Sequence, residues 1–444
     1  MATTYLSRTS GTPTNSKKNT LSVWLKRGGL GTGTFFGGGA DSSSMTFINF
    51  NPNGKIFLQS SASNSNTLVF ITTQVFKDTS AWYHIVVAID TTQATASNRV
   101  KLYVNGVQVT AFDTETYPSQ NLELEWNKSG KTLEIGKYLF SSSYSIYDGL
   151  MSHFNFIDGT QELPTVFGSV DSTSGIWKIN TSPSVTYGNN GFFVLKDGIT
   201  ITDSSPNSNN FSLGGGTLTK TEDCPSNNFA TLNPLLDVNA VPTFSNGNTT
   251  IVGSSSGGAR LSGSSISVGT GKWYYEIKTT VHGSQPYIGV IDAQSNIRRN
   301  SSYFVAATSG SNDSGYAVNM SGDIYYNNSS TYASNIGSIS TGDILGFAVD
   351  LTTAQKTCTI YKNGTSMRTF NLANPSSNNY MLGVCSISNS TSAKCEVNFG
   401  NGKFGTTAVA TNSGNGYAGA EGKSIFNYQP PTNYSALSTK GLNL

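Results

Sequence analysis

An all-β protein is predicted from this sequence: two antiparallel β-sandwiches in tandem, followed by an extended C-terminal arm. Three observations lead there. The first is a motif present twice, Tyr-x-Asn-Gly with a Phe six residues past the Gly, at Tyr103–Gly106 with Phe112 and at Tyr361–Gly364 with Phe370. Asn-Gly between alternating strands is a strong hairpin signal, because a type I′ turn needs φ > 0 at both central residues. The second is a recurrence of short β-branched and aromatic runs bounded by Gly, Asn, Ser and Pro, as sandwiches require. The third is that no segment keeps a helical period over a dozen residues.

Taken in order, residues 1–165 form the first predicted sandwich. Leu21-Ser22-Val23-Trp24-Leu25 alternates large apolar with smaller residues. Trp82–Ile89 is apolar on nearly both faces, so it reads as a central strand covered on each side. The Asn105-Gly106 hairpin follows, with Val100, Leu102, Val104, Val107 and Val109 assigned to its core face. Leu133–Gly136 and Gly149–Phe156 complete the set. Residues 166–236 read as a structured joint, in which Gly191–Leu195 returns as a strand to the first sandwich. Residues 237–404 form the second sandwich, built on Trp273–Ile277, Tyr287–Val290, Gly315–Val318, Ile344–Val349, the second hairpin, Met381–Val384 and Cys395–Gly400. Residues 405–444 read as the arm. Pro430-Pro431 blocks helix and central-strand pairing, while Phe426, Tyr428 and Tyr434 give the arm something to bury.

Charged residues are only 12% of the chain and the net charge is +2, about half the usual charged share. Ser, Thr, Asn and Gly supply the surface instead. No cluster of Lys and Arg gives a nucleic-acid footprint, and no apolar run approaches a membrane span. The N-terminus lacks an apolar core of signal-peptide length, so synthesis in a cytoplasm without export by that route is expected. Cys224, Cys358, Cys385 and Cys395 match no zinc spacing. They read as buried free thiols, a Cys385–Cys395 disulfide across a hairpin being the open alternative.

The stretch from about Thr20 to Phe156 resembles laminin-G-like, concanavalin-A-type lectin sandwiches, on Thr20–Trp24, Trp82-Tyr83-His84, Leu102–Gly106, Ile135-Gly136 and Gly149-Leu150. The stretch from about Gly271 to Gly400 resembles a SPRY domain, on Gly271–Glu276, Ile288–Val290, Gly342–Gly346, Asp350, Tyr361–Gly364 and Val397–Gly400. The tandem, with its Asn-rich joint (Asn227–Pro234) and aromatic, Pro-rich tail, is similar to virion proteins of tailed bacteriophages, especially marine ones. The resemblance implies a jelly-roll, non-enzymatic, multi-copy component on the particle surface, of decoration, spike, head-fibre or tail-fibre type. No fibrous shaft or heptad segment is visible, which favours the compact types. Other virion proteins and host-surface polysaccharide are the implied partners. A soluble or cell-surface bacterial lectin is the alternative, and a polysaccharide depolymerase a further one.

Concanavalin-type folds also host glycosidases, which need a carboxylate pair. Glu123 and Glu125 alternate and would share a strand face, but the Glu-x-Asp-x-x-Glu pattern of that glucanase family is missing, so no catalytic residue is assigned. Some laminin-G-like domains bind calcium. Asp78, Asp148 and Asp158 are available, yet no loop supplies six to eight oxygens, and no cofactor is expected. His84 and His153 read as core or interface histidines bonded to a carbonyl. Asp90 and Asp350 end strands at equivalent places and read as Asx turn caps. The candidate sugar-contact residues are Trp126, Tyr144, Tyr147, Tyr325 and Tyr326, aromatics set among polar turn residues. The candidate particle-docking residues are Phe426, Tyr428, Pro430, Pro431 and Tyr434.

Overall fold

The computed structural model describes residues 3–137, 145–196, 199–236, 243–253, 260–280, 286–293, 315–326, 329–333, 335–373, 378–387, 393–409 and 416–443. The chain divides into two compact units, residues 1–220 and 221–444. Both are all-β.

The first unit carries β1 (Tyr5–Thr9), β2 (Lys18–Arg27), β3 (Gly33–Asp41), β4 (Ser44–Phe50), β5 (Lys55–Ala62), β6 (Ser65–Val75), β7 (Trp82–Asp90) and β8 (Val100–Val104). It continues with β9 (Val107–Gln108), β10 (Phe112–Thr116), β11 (Thr132–Ile135), β12 (Gly149–Asp158), β13 (Gly168–Val170), β14 (Trp177–Ile179), β15 (Phe192–Val194) and β16 (Ser212–Gly215). Eight strands form one sheet in the order β10-β6-β5-β4-β3-β11-β1-β16, and six form the other in the order β15-β12-β2-β7-β8-β9. Leu21, Val23 and Leu25 of β2 and Ile85, Val87 and Ile89 of β7 point into the shared core. Phe36 meets Trp126 and Phe154 there at 5.3 and 5.4 Å.

Every residue of β2 after Lys18 is buried, so the outer face of the six-stranded sheet is covered as well. The cover is the unit's own segment after Asp158. Phe167 and Tyr187 pack on Val86, Ala88 and Tyr103, and Trp177 lies parallel to His84 at 5.9 Å. This matches the expectation of a central strand buried on both faces. The return strand is β15, antiparallel to β12.

The second unit carries β17 (Thr243–Ser245), β18 (Thr250–Val252), β19 (Arg260–Ser262), β20 (Ser267–Val268), β21 (Lys272–Thr280), β22 (Tyr287–Asp292), β23 (Gly315–Val318), β24 (Ile324–Tyr326) and β25 (Ser329–Ala333). It ends with β26 (Ile344–Asp350), β27 (Thr357–Lys362), β28 (Thr365–Asn371), β29 (Tyr380–Ile387), β30 (Lys394–Asn398), β31 (Lys403–Phe404), β32 (Thr407–Ala408) and β33 (Ser435–Ala436). One sheet runs β17-β18-β30-β21-β26-β27-β28 with β33 paired to β21, and the other β19-β29-β22-β23-β24-β25 with β20 paired to β29. Tyr275 stacks on Phe347 at 4.9 Å in the core between them. Cys358, Cys385 and Cys395 are buried free thiols and Cys224 is half-buried and free, so the pair at 385 and 395 is not bridged.

Both Asn-Gly hairpins form as predicted, and they do more than turn the chain. Asn105 and Gly106 have φ of 48° and 80°, Asn363 and Gly364 of 50° and 82°. Each Asn Oδ1 accepts a backbone N–H from near the start of the neighbouring strand: His84 N at 2.8 Å for Asn105 and Ile344 N at 2.9 Å for Asn363. Each Gly seats an aromatic ring. A Cβ built on Gly106 would lie 2.4 Å from Trp177, and one on Gly364 would lie 2.6 Å from Tyr428. Gly106→Ala and Gly364→Ala therefore combine left-handed strain with a steric clash, and each is expected to cost its own unit about 1–3 kcal/mol. Differential scanning calorimetry checks this; a melting temperature equal to wild type in both variants would remove the seating role. Val107 differs from expectation. It is 71% exposed, because the turn closes before it and β9 is a two-residue edge strand outside the core.

The C-terminal region also differs from the extended arm expected. Phe426 is fully buried and packs edge-on against Tyr274 at 4.9 Å. Asn427 and Tyr428 donate their backbone N–H groups to Glu276, each at 2.8 Å. Ser435 and Ala436 pair in parallel with Trp273 and Tyr274. Ala230 N donates to Leu437 O at 2.8 Å and Thr439 N to Asn228 O at 2.9 Å. The Asn-rich stretch 227–232, read as part of a joint, and the C-terminal segment thus close the second unit together. Pro430 is buried, and Pro431 and Tyr434 half-buried. The prolines stop regular pairing locally, but flanking residues still reach sheet partners far upstream in sequence.

Candidate functional site

A cleft of about 420 Å³ opens on the second unit, lined by Tyr316, Tyr326, Ala354, Gln355, Asn371, Leu372 and Ala373. Three separate stretches of chain build it. Tyr316 on β23 and Tyr326 on β24 are cross-strand partners and stack at 4.6 Å. Phe370, the last residue of the second repeated motif, props Tyr316 from beneath at 5.4 Å.

The turn after β26 brings up Ala354 and Gln355. Asp350 Oδ1 sets that turn by accepting Thr352 N at 2.9 Å and Thr352 Oγ1 at 2.6 Å, while Asp350 pairs with Lys272 at 2.9 Å. Burial works to raise the Asp350 carboxyl, but the Thr352 hydrogen bonds and Lys272 outweigh it and hold the group below its ordinary range. Asp90 does the same in the first unit with Thr92 and Lys18. Both fulfil the turn-capping role expected of them. The third wall, Asn371–Ala373, is pinned by Ala373 N donating to Tyr316 Oη at 2.7 Å and by the Tyr380 hydroxyl donating to Ala373 O. Gln355 Nε2 donates to Lys356 O and Leu372 O, both at 3.2 Å, which fixes the amide at the rim.

Among the described residues no Asp, Glu, Lys, Arg or His lines this cleft. A half-buried tyrosine beside exposed Gln and Asn amides suits a neutral ligand carrying hydroxyl or amide groups, with a flat apolar face set against the ring.

The five aromatics expected at a sugar site are placed very differently. Tyr326 lines the cleft. Tyr325, its neighbour, points to the other side of β24 and packs edge-on against Tyr287 at 5.6 Å. Trp126 is fully buried in the first core and donates Nε1 to Asn19 Oδ1 at 3.0 Å, so it offers no face to a ligand. Tyr147 is 6% exposed, against Phe35. Tyr144 lies outside the described residues. Trp126 and Tyr147 are corrected to framework: flanking Asn, Lys and Asp residues made core aromatics look like loop aromatics. Tyr316, Gln355 and Asn371 were not singled out as site residues. The Asx cap at Asp350 was read from the sequence, but nothing there pointed to these three residues.

Glu123 and Glu125 do not form a carboxylate pair on one strand face. Glu125 is buried in a short 3-10 turn and held by Lys128 and Lys131 at 2.5 and 3.2 Å. Glu123 accepts from Ser16 Oγ at 2.6 Å. The carboxylates considered for calcium do not fit an ion either. Asp158 accepts four N–H groups, from Thr14, Asn15, Asn190 and the Asn127 side chain, and Asp78 Oδ1 takes Ser80. Asp148 lies against Gly28 and Gly29 instead, and burial raises its carboxyl. Among the described residues no three His, Cys, Asp or Glu side chains come together.

His84 is a core histidine as expected, but its partners are not carbonyls. It stacks on Trp24 at 4.8 Å and lies nearly parallel to Trp177, with ring centroids 5.9 Å apart. The indole Nε1 of Trp177 can only donate, so Nδ1 of His84 accepts it at 3.0 Å and the proton sits on Nε2, facing Ser22 Oγ at 2.9 Å. Burial pushes this imidazole down to about 3. His153 bonds Ser152 Oγ at 2.7 Å.

Sheet order, core and cleft define two sandwich modules of binding type. Comparison with known proteins agrees on the domain types: residues 2–161 match the Laminin_G_3 family of the concanavalin A-like lectin/glucanases superfamily, and residues 272–402 match the SPRY domain. Among curated proteins none matches the chain. Of solved structures, the SPRY domain of human HERC1 is 18% identical over 34% of this chain and 87% of its own, with a TM-score of 0.26. The heptameric SAP-like pentraxin of Limulus polyphemus is 14% identical over 42% and 88%, TM-score 0.30. Mouse laminin alpha1 domains LG4-5 are 9% identical over 89% and 84%, TM-score 0.31. At such identities and scores these likenesses carry no argument about ligands.

Proposed function

We propose that this chain is a non-enzymatic surface component of a tailed-bacteriophage particle that binds neutral host-surface polysaccharide through the Tyr316–Tyr326 cleft. The observation that carries the reading is the cleft itself: a stacked tyrosine pair, two rim amides and, among the described residues, no charged side chain, on a wall pinned by two further hydroxyl contacts. Two sandwiches of binding type in tandem and a sparsely charged surface support it. On particles the chain is multi-copy and neighbours other virion proteins.

The test is binding of the full chain to a panel of host capsular and cell-wall polysaccharides. Wild type is expected to bind at least one, and Tyr326→Ala to weaken that binding by at least about tenfold, or 1.4 kcal/mol, with an unchanged melting curve. Equal binding by the variant would move the site elsewhere. No binding to any neutral glycan would reject the ligand class.

A further inference from the structure

We propose that the C-terminal segment 416–443 is a pH-responsive cover of the second unit, seated on the Glu276 carboxyl, that holds most tightly in mild acid and loosens as pH rises through neutrality. The face beneath it is aromatic and small. Tyr274, Ala348 and Tyr361 present it, and Phe426 and Ala436 fill it together with Phe229.

Glu276 sits at the centre of that face and is fully buried. Four donors reach it: the backbone N–H groups of Asn427 and Tyr428, Asn398 Nδ2 at 3.2 Å and Tyr274 Oη at 3.3 Å. Two of the four belong to the cover, so the cover and the ionisation of Glu276 are physically one event. Asn398 also donates to Ile425 O at 3.0 Å, so the same cluster holds both sides of Phe426.

The first unit has the same arrangement with neutral groups. Ser22 and Asn155 are register partners there, as Glu276 and Asn398 are here. Its cover is tied by Tyr187 Oη to Asn155 Oδ1 at 2.8 Å and by Trp177 to His84. A carboxyl at the matching position of the second unit is the difference that makes its cover respond to pH near neutrality.

Among the described residues the ionisable groups around Glu276 are few. Tyr274 and Lys278 share its strand, Tyr361 lies on β27, Tyr428 on the cover, and two ion pairs, Asp343–Lys362 at 3.1 Å and Glu396–Lys394 at 2.7 Å, lie beyond them. Among the described residues no cation bonds the carboxyl. Burial raises it to about 7, and the four hydrogen bonds only partly oppose that. When Glu276 is protonated, the 3.3 Å contact to Tyr274 reverses: the acid O–H donates to Tyr274 Oη, which donates to the carboxylate only in the ionised form.

With the cover closed, Glu276 keeps its proton up to about pH 7. With it open, water lets the group ionise near the ordinary Glu value. Closing therefore takes up a proton between those values, and weakens as pH rises through them.

Hydrogen exchange at residues 425–429 of the full chain, corrected for the intrinsic rate at each pH, reads this directly. Protection is expected to fall on the order of 100-fold from pH 5 to pH 8, and to stay flat in Glu276→Gln, which keeps the shape but cannot ionise. Flat protection in wild type, or an equal slope in Glu276→Gln, overturns the proposal. If the variant does not fold, the NMR titration of the Glu276 carboxyl carbon in wild type decides: a midpoint near neutrality supports the cover as described, and one near the ordinary Glu value refutes it.

Discussion

Truncation after Gly416 is expected to remove most of the second unit's stability while leaving the first unit's melting transition in place. Phe426 alone is a fully buried aromatic, and losing such a side chain costs about 3–5 kcal/mol. The cut also strips Glu276 of two of its four donors and leaves Tyr274 and Phe229 facing water. Against a typical domain stability of about 5–15 kcal/mol, the second transition moves down sharply or disappears. Calorimetry of the full and truncated chains checks this. Two unchanged transitions would mean that the segment is an appendage after all, free to dock on a particle as the sequence alone suggested.

The second large effect is acid sensitivity of the first unit through His84. The folded imidazole titrates at about 3, against about 6.5 in the unfolded chain. A His with a depressed value must lose its proton to fold, so the stability it confers is complete above the unfolded value and is lost as pH falls below it. Between pH 6.5 and 4.5 the loss is about 2–3 kcal/mol. His153, lowered to about 4 by burial and Lys196, acts in the same sense, whereas Glu134 and Asp148, whose carboxyls burial raises, act in the opposite sense. The comparison with His84→Gln isolates the term: the variant is less stable at pH 7 but its first transition shifts less with acid. An identical pH slope in both proteins would show that His84 does not control acid stability. The second unit should move the other way over the same range, since Glu276 favours folding at low pH.

Some of this was legible in the sequence and some was not, for physical reasons. The hairpins were, because Asn-Gly acts through its own backbone and needs no distant partner. The turn caps at Asp90 and Asp350 were, because an Asx turn is complete within three residues. The C-terminal segment was misread because its partners, Glu276 and Gly364, are remote in the chain while its prolines are local and conspicuous. One clue was present: Glu276 interrupts the apolar run Trp273–Ile277, and a charge in a strand buried on both faces needs a polar partner from outside it. Trp126 and Tyr147 were misread because exposure is decided by the opposite sheet rather than by neighbours in sequence. The cleft draws on three stretches that only the folded sandwich brings together, so Tyr326 was reachable by residue type but Gln355 and Asn371 were not.

The claim that organises these findings is that the chain works on the surface of a bacteriophage particle. Quantitative mass spectrometry of purified particles from infected lysate, set beside the particle-free supernatant, tests it most directly. The account predicts that the chain co-purifies with particles at multi-copy stoichiometry and is accessible to surface proteolysis there. Its absence from particles, with the protein recovered only in the supernatant, would contradict the account and leave a soluble lectin in its place.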